Sequence, residues 1–332
     1  MIGTPEYSAR LREQSVDTAG GRLLVARLAG SDQEPDLSEP VNCGGLGRIR
    51  HFGGRILPPW PANPLPAVPA AARLPGGHGP LRAQVFQNAA CNWRCWYCYV
   101  PFALLGGHAS QGEWRTADEL VGLWQAEENA PAVLDLSGGQ PDLAPEWVPW
   151  TMRALVDRGL DRSTYLWSDD NLSTDYFWRY LSDNDIALVG EYRNYGRAVC
   201  FKGADKESFV LNTAAPADGW AEQFRYASRL LDARIDLYCY ITLTTTAAPA
   251  ALPAQISRFV DALQSVDENL PLRTVPLQVQ VFGPVGPRIR AVHEQALARQ
   301  DSAVEAWTAE IEARFPSVLR DLAITDVPLG RA

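Results

Sequence analysis

Three cysteines fall within eight positions in the stretch CNWRCWYCYV, residues 91–100, spaced Cys91-x3-Cys95-x2-Cys98. Three thiolates that close together suit a soft metal. A structural zinc normally takes four protein ligands, often as two pairs. No second pair lies nearby: Cys43, Cys200 and Cys239 are scattered, and nothing in GGHAS marks His108 as a fourth ligand. An iron–sulfur cubane held by three cysteines would leave one iron open, and an open position is what makes a metal site catalytic. Spacing alone favours the iron–sulfur cluster over zinc and keeps both readings open.

Three further stretches collect polar chemistry at the ends of apolar runs. The first is LSGGQPDL, residues 136–143, where two glycines let backbone approach a ligand closely. It also reads as a plain strand-to-helix turn. The second is Ser168, Asp169, Asp170 and Asn171, residue types that equally suit a helix N-cap. The third is VCFKG, residues 199–203. Strand alternation puts Ala198, Cys200 and Lys202 on one face. Lys202 and Lys206 are the only lysines in the chain, and a lysine at a strand end can hold a carboxylate. Cys200 reads either as a small buried hydrophobe or as a hydrogen-atom donor.

Together these stretches resemble the radical S-adenosylmethionine (radical SAM) enzymes. The cysteine spacing, with the aromatic Tyr97 just before Cys98, looks like the signature of that family. Ser137, Gly138, Gly139, Gln140 and Pro141 resemble its Gly-Gly-Glu-Pro element, with Gln in place of Glu. The resemblance implies that Cys91, Cys95 and Cys98 hold a [4Fe–4S] cluster. It implies that Tyr97 and residues 137–141 bind SAM, as do Ser168, Asp170 and Asn171 at the third strand end. Lys202 sits where the glycyl-radical-activating branch carries an Asp-x-Lys sequence, with Cys200 at the acidic position. The implied reaction is reductive cleavage of SAM to a 5′-deoxyadenosyl radical that takes hydrogen from a substrate. A one-electron donor of flavodoxin or ferredoxin type is implied as partner.

The elements that must position these residues alternate from about residue 82. Strands are expected at 81–87, 132–137, 163–168, 197–203, 235–244 and 276–282. Helices are expected at 116–129, 146–159, 173–183, 218–233, 253–266 and 291–315, with 186–190 as a possible extra strand. Thr116 and Glu119 form a capping box, and Gly159 ends the second helix. Six βα units imply a parallel sheet, either doubly wound or a partial barrel, with ligands at the C-terminal strand ends in both cases; the resemblance implies the barrel. The expectation is an α/β partial (β/α)6 barrel over residues 81–290. Residues 291–332 form a C-terminal helix and tail. Residues 1–80 read as an irregular Pro/Gly-rich segment, a candidate lid, with one β-like piece at 21–30.

The whole chain narrows the function. It has 332 residues, 46% hydrophobic, enough for one large α/β domain. A net charge of −9 with no basic block argues against nucleic acid as partner. No apolar run reaches transmembrane length and no signal pattern opens the chain, so a cytoplasmic protein is expected. The resemblance leaves a glycyl-radical partner protein, a ribosomal peptide, a nucleoside and a natural-product precursor open as substrates, and a small molecule or peptide is the expectation. A glycyl-radical activase is the alternative within the family. A zinc or iron–sulfur scaffold without catalysis is the rival from another class.

Overall fold

The computed structural model describes residues 2–51 and 81–330. The proline-rich stretch at 57–70, read as part of a lid, lies outside the described residues.

Six parallel strands form the body: β4 (Arg82–Phe86), β6 (Val133–Leu136), β7 (Tyr165–Asp170), β8 (Tyr195–Phe201), β9 (Leu237–Ile241) and β10 (Thr274–Pro276). They lie side by side in chain order, and β3 (Gly47–His51) joins the β4 edge antiparallel. A strand order without a reversal differs from the doubly wound arrangement, in which helices cover both faces. Here they cover one. Leu134, Leu136, Leu166, Val199, Phe201, Leu237 and Ile241 point into a single core with helix residues such as Leu155, Leu230, Phe259 and Trp307. Alternate positions, Val133, Tyr165, Trp167, Ala198, Tyr238 and Tyr240, face the other way and pack with Ile324 near the C-terminus. That second face is called the inner face below.

A second, three-stranded sheet of β1 (Val16–Asp17), β2 (Arg22–Ala26) and β5 (Gly112–Thr116) stands at the exit of β4. Ala26 N–H donates to Gln87 O and Ala89 N–H to Leu24 O, so this sheet fixes the start of the cysteine loop.

Local chemistry explains most boundaries. The Thr116–Glu119 capping box opens the Ala117–Gln125 helix as expected. The Trp147–Asp157 helix ends in a Schellman turn: Gly159, at φ +67°, donates to Val156 O, and Leu160 N–H reaches Leu155 O.

The structure departs from expectation in six places. Residues 186–190 are helix, not strand: Ser182 and Asp185 cap each other reciprocally and open the Asp183–Glu191 helix. The helix expected at 173–183 shrinks to Tyr176–Tyr180. The last strand is Thr274–Pro276 rather than 276–282. Beyond Leu277, Val279 N–H and C=O pair with the Gln300 side chain instead of a strand. The final helix is two, Ala291–Leu297 and Gln300–Arg314, broken where Gln300 turns inward. A helix at Lys206–Thr213, capped by Asp205, was not expected. The front segment, read as irregular, contains a Pro5–Ser15 helix capped by Thr4 as well as β1 to β3. No helix among the described residues is long and apolar enough to cross a membrane.

Candidate functional site

The cysteine loop leaves β4 and is fastened from three directions. Cys91 N–H donates to Leu105 O, and Cys98 N–H to Cys95 O. Arg94 turns back on the loop, donating to Cys91 O, Trp93 O and Leu105 O and to the Tyr7 hydroxyl of the N-terminal helix. Arg288, from the chain after β10, donates to Cys98 O at 2.6 Å and Val100 O at 2.9 Å. These guanidiniums satisfy carbonyls that a loop without secondary structure would otherwise leave open.

Asn212 is the third anchor, fully buried on the Lys206–Thr213 helix. Its Oδ1 accepts from Trp96 Nε1 and Thr244 Oγ1, and its Nδ2 donates to Lys202 O and Thr244 O. One amide therefore joins the cysteine loop to the ends of β8 and β9. The spacing of Phe209, Asn212 and Thr213 on one helical face is the signal by which the sequence announces a buried asparagine.

The three thiols are buried or half-buried in one apolar pocket with Trp93, Val100 and Leu104. Burial pushes all three up, Cys95 to about 12, with Lys202 acting in the opposite sense on each. They are thiols until a metal displaces their protons. Among the described residues no group of three or more His, Cys, Asp or Glu side chains is placed to hold a metal ion.

On the inner face, Cys200 and Lys202 meet the loop. Tyr97 and Thr242 share a hydrogen bond of 2.9 Å between hydroxyls, and Cys200 Sγ lies 3.9 Å from the same Thr242 oxygen. Burial works against the Lys202 charge, but Cys200, Tyr97 and Cys95 hold its pKa above the usual lysine range. Asn171 approaches from β7: its Nδ2 is 3.3 Å from Asn92 Oδ1 and 3.9 Å from Cys91 Sγ, and its buried Oδ1 has no partner.

The glycine pair packs against the loop's first residues. Gly138 and Gly139 have φ of +92° and +65°. A Cβ on Gly139 would stand 2.4 Å from Asn88 O and 2.5 Å from Ala90 O, so no side chain fits. Gln140 N–H donates to Ala90 O, and Asn88 Nδ2 donates to Gln140 O.

The structure thus brings together Cys91, Cys95, Cys98, Tyr97, Gly138, Gly139, Asn171, Cys200 and Lys202. Ser168, Gln140 and Asp170 turn into the protein. Ser168 bonds the Tyr195 hydroxyl on the helix side of the sheet. Gln140 bonds Asp170 and the Asn171 N–H. Asp170 also accepts from Leu172 N–H and pairs with Arg197, which Asp142 holds from below. Pro141 begins a 3-10 turn, Pro141–Leu143. Ser137 donates to Asp169 on the inner face. Asn212, Arg94, Arg288 and the residue pair Asn88–Asn92 are the parts that sequence reading missed.

No family model matches the chain, and no curated protein matches it. Among solved structures, the chain is similar to Streptococcus suis SuiB bound to S-adenosylmethionine, at 14% sequence identity and a TM-score of 0.46. The match covers 68% of this chain and 46% of SuiB, so the chain spans just under half the length of that protein.

Proposed function

We propose that the chain is a radical SAM enzyme built on a partial (β/α)6 barrel, acting on a small molecule or peptide. The observation that carries this reading is the meeting of three cysteines with Tyr97, Asn171 and Lys202. They stand at the C-terminal ends of β4, β7 and β8 of one parallel sheet, where an α/β sheet binds its ligands.

The residues fit a three-cysteine cluster. Three thiols, one buried and two half-buried, share one apolar pocket. Cys91, Cys95 and Cys98 would hold the cluster. When bound with SAM it supplies one-electron cleavage of the sulfonium and, through that, hydrogen abstraction from a substrate. The protein's own part is binding, orientation and exclusion. Gly138 and Gly139 keep the β6 end tight against residues 88–90. Lys202 offers a positive charge to a carboxylate, and the Asn171 Oδ1 offers an acceptor. Trp93 and Trp96, both buried, keep polar solvent from the loop. A flavodoxin- or ferredoxin-type donor would supply the electron.

Metal analysis after anaerobic reconstitution tests this reading. About four irons per chain are expected, falling when Cys95 is changed to Ala. One zinc per chain and no iron would favour the scaffold reading instead.

A further inference from the structure

The inner face carries charged groups that the cysteine site does not use. β3 runs antiparallel along the β4 edge, and its register sets Arg48 opposite Val85 and Arg50 opposite Ala83. Both arginines therefore rise on the inner face. Asp135 of β6 is wholly buried and takes Arg50 Nη1 on its Oδ2 at 3.1 Å. Asp169 of β7 takes the Ser137 hydroxyl on its Oδ2. Arg48 Nη2 donates to the Tyr99 hydroxyl, one residue beyond Cys98. Asp169, Arg48 and Arg50 all lie within electrostatic reach of that Tyr99, as does Cys98. The cluster is thus continuous with the cysteine loop.

Three atoms of this cluster are buried without a partner: Asp135 Oδ1, Asp169 Oδ1 and Arg48 Nε. A buried carboxylate oxygen or guanidinium N–H left open costs the desolvation it does not recover. Two are acceptors on neighbouring strands and one is a donor from β3. Beside them on the same face, Tyr165, Trp167 and Tyr238 pack ring to ring in a tilted row, with Trp167 directly opposite Asp135 in the sheet. A ligand that completes the cluster brings donors for two carboxylates and an acceptor for one guanidinium.

We propose that this face binds the zwitterionic head of an α-amino acid, its ammonium on Asp135 and Asp169 and its carboxylate on Arg48. An amine alone leaves Arg48 open, and a carboxylate alone leaves both aspartates open. Calling this ligand the substrate rests on the radical SAM reading; the binding itself does not.

Ligand-observed NMR on the anaerobically purified full chain, with each of the twenty common L-amino acids in turn, tests this. At least one should bind. Its decarboxylated amine and its deaminated acid should each bind at least about tenfold more weakly, the scale of one charge-assisted hydrogen bond. Asp169→Asn, checked for folding by circular dichroism, should weaken the amino acid by a similar factor. The comparison of the three ligands on the unaltered chain needs no variant. Binding by none of the amino acids would overturn the proposal. So would an amine or acid that binds as well as its parent, or a folded Asp169→Asn chain with full affinity. Selective amino-acid binding without SAM cleavage would support this site and count against the radical reading.

Discussion

Gln140 Nε2 donates to Asp170 Oδ1 at 2.8 Å, while Gln140 Oε1 accepts the Asn171 N–H at 3.0 Å. One amide satisfies a carboxylate and a backbone donor at once. This explains why the turn reads Gly-Gly-Gln-Pro. A glutamate here would set a second carboxylate against Asp170, above a buried Arg197 already shared by Asp142 and Asp170.

Gln140→Glu should therefore destabilise the chain by about 3 kcal/mol at neutral pH, the scale of an uncompensated buried charge. The new carboxyl would have a raised pKa in the folded state, so the loss should shrink as pH falls and the group gains a proton. Urea denaturation at pH 7.5 and pH 5 measures this. Equal losses at both would show that shape, not charge, decides residue 140.

Gly139→Ala places a methyl between Asn88 O and Ala90 O at a positive φ. Strain of about 1–3 kcal/mol is expected from the backbone alone, and the clash with two carbonyls adds to it. The start of the cysteine loop should shift, with SAM affinity falling before the fold is lost. Equilibrium dialysis with labelled SAM reads the first effect and thermal denaturation the second.

Asn212→Ala removes four hydrogen bonds that join Trp96, Lys202 and Thr244. The loop should loosen, and the Cys95 thiol should react faster with a disulfide reagent in the metal-free protein. An unchanged labelling rate would show that Arg94, Arg288 and the backbone bonds to Asn212 O and Thr213 O hold the loop without the Asn212 amide.

Burial pushes the Asp142 carboxyl up to about 7, with Arg197 opposing and Asp170 adding to the rise. A carboxyl whose folded pKa exceeds its unfolded value near 4 is better protonated in the folded state. Its contribution therefore weakens stability as pH rises from about 4 to about 7. Asp142→Asn should flatten that decline, by at most about 1.4 kcal/mol per pH unit for one proton. Asp135, also pushed up to about 7 by burial and by Asp169, titrates in the same window and remains in the variant. Some slope should persist.

Much of this architecture is written locally. The Thr116–Glu119 capping box and Gly159 fix helix ends through their own backbone bonds, and the alternation of Ala198 and Cys200 places both on one face, with Lys202 just past the end of β8. What stayed hidden depends on partners far along the chain. Val279 and Gln300 pair across an expected strand, because a buried amide offered better partners than a sheet edge. Residues 186–190 are a short apolar run that reads as a possible strand, until Ser182 and Asp185 cap them as helix. The inward turn of Gln140 and Ser168 needed Asp170 and Tyr195, residues that no spacing rule links to them.

The most direct measurement is reductant-dependent release of 5′-deoxyadenosine from SAM by the reconstituted chain under strict anaerobiosis. The account predicts release with dithionite, none without it, and none from the Cys91→Ala, Cys95→Ala or Cys98→Ala variants. A fully reconstituted chain that leaves SAM intact, or release that survives loss of any one of the three cysteines, would contradict it.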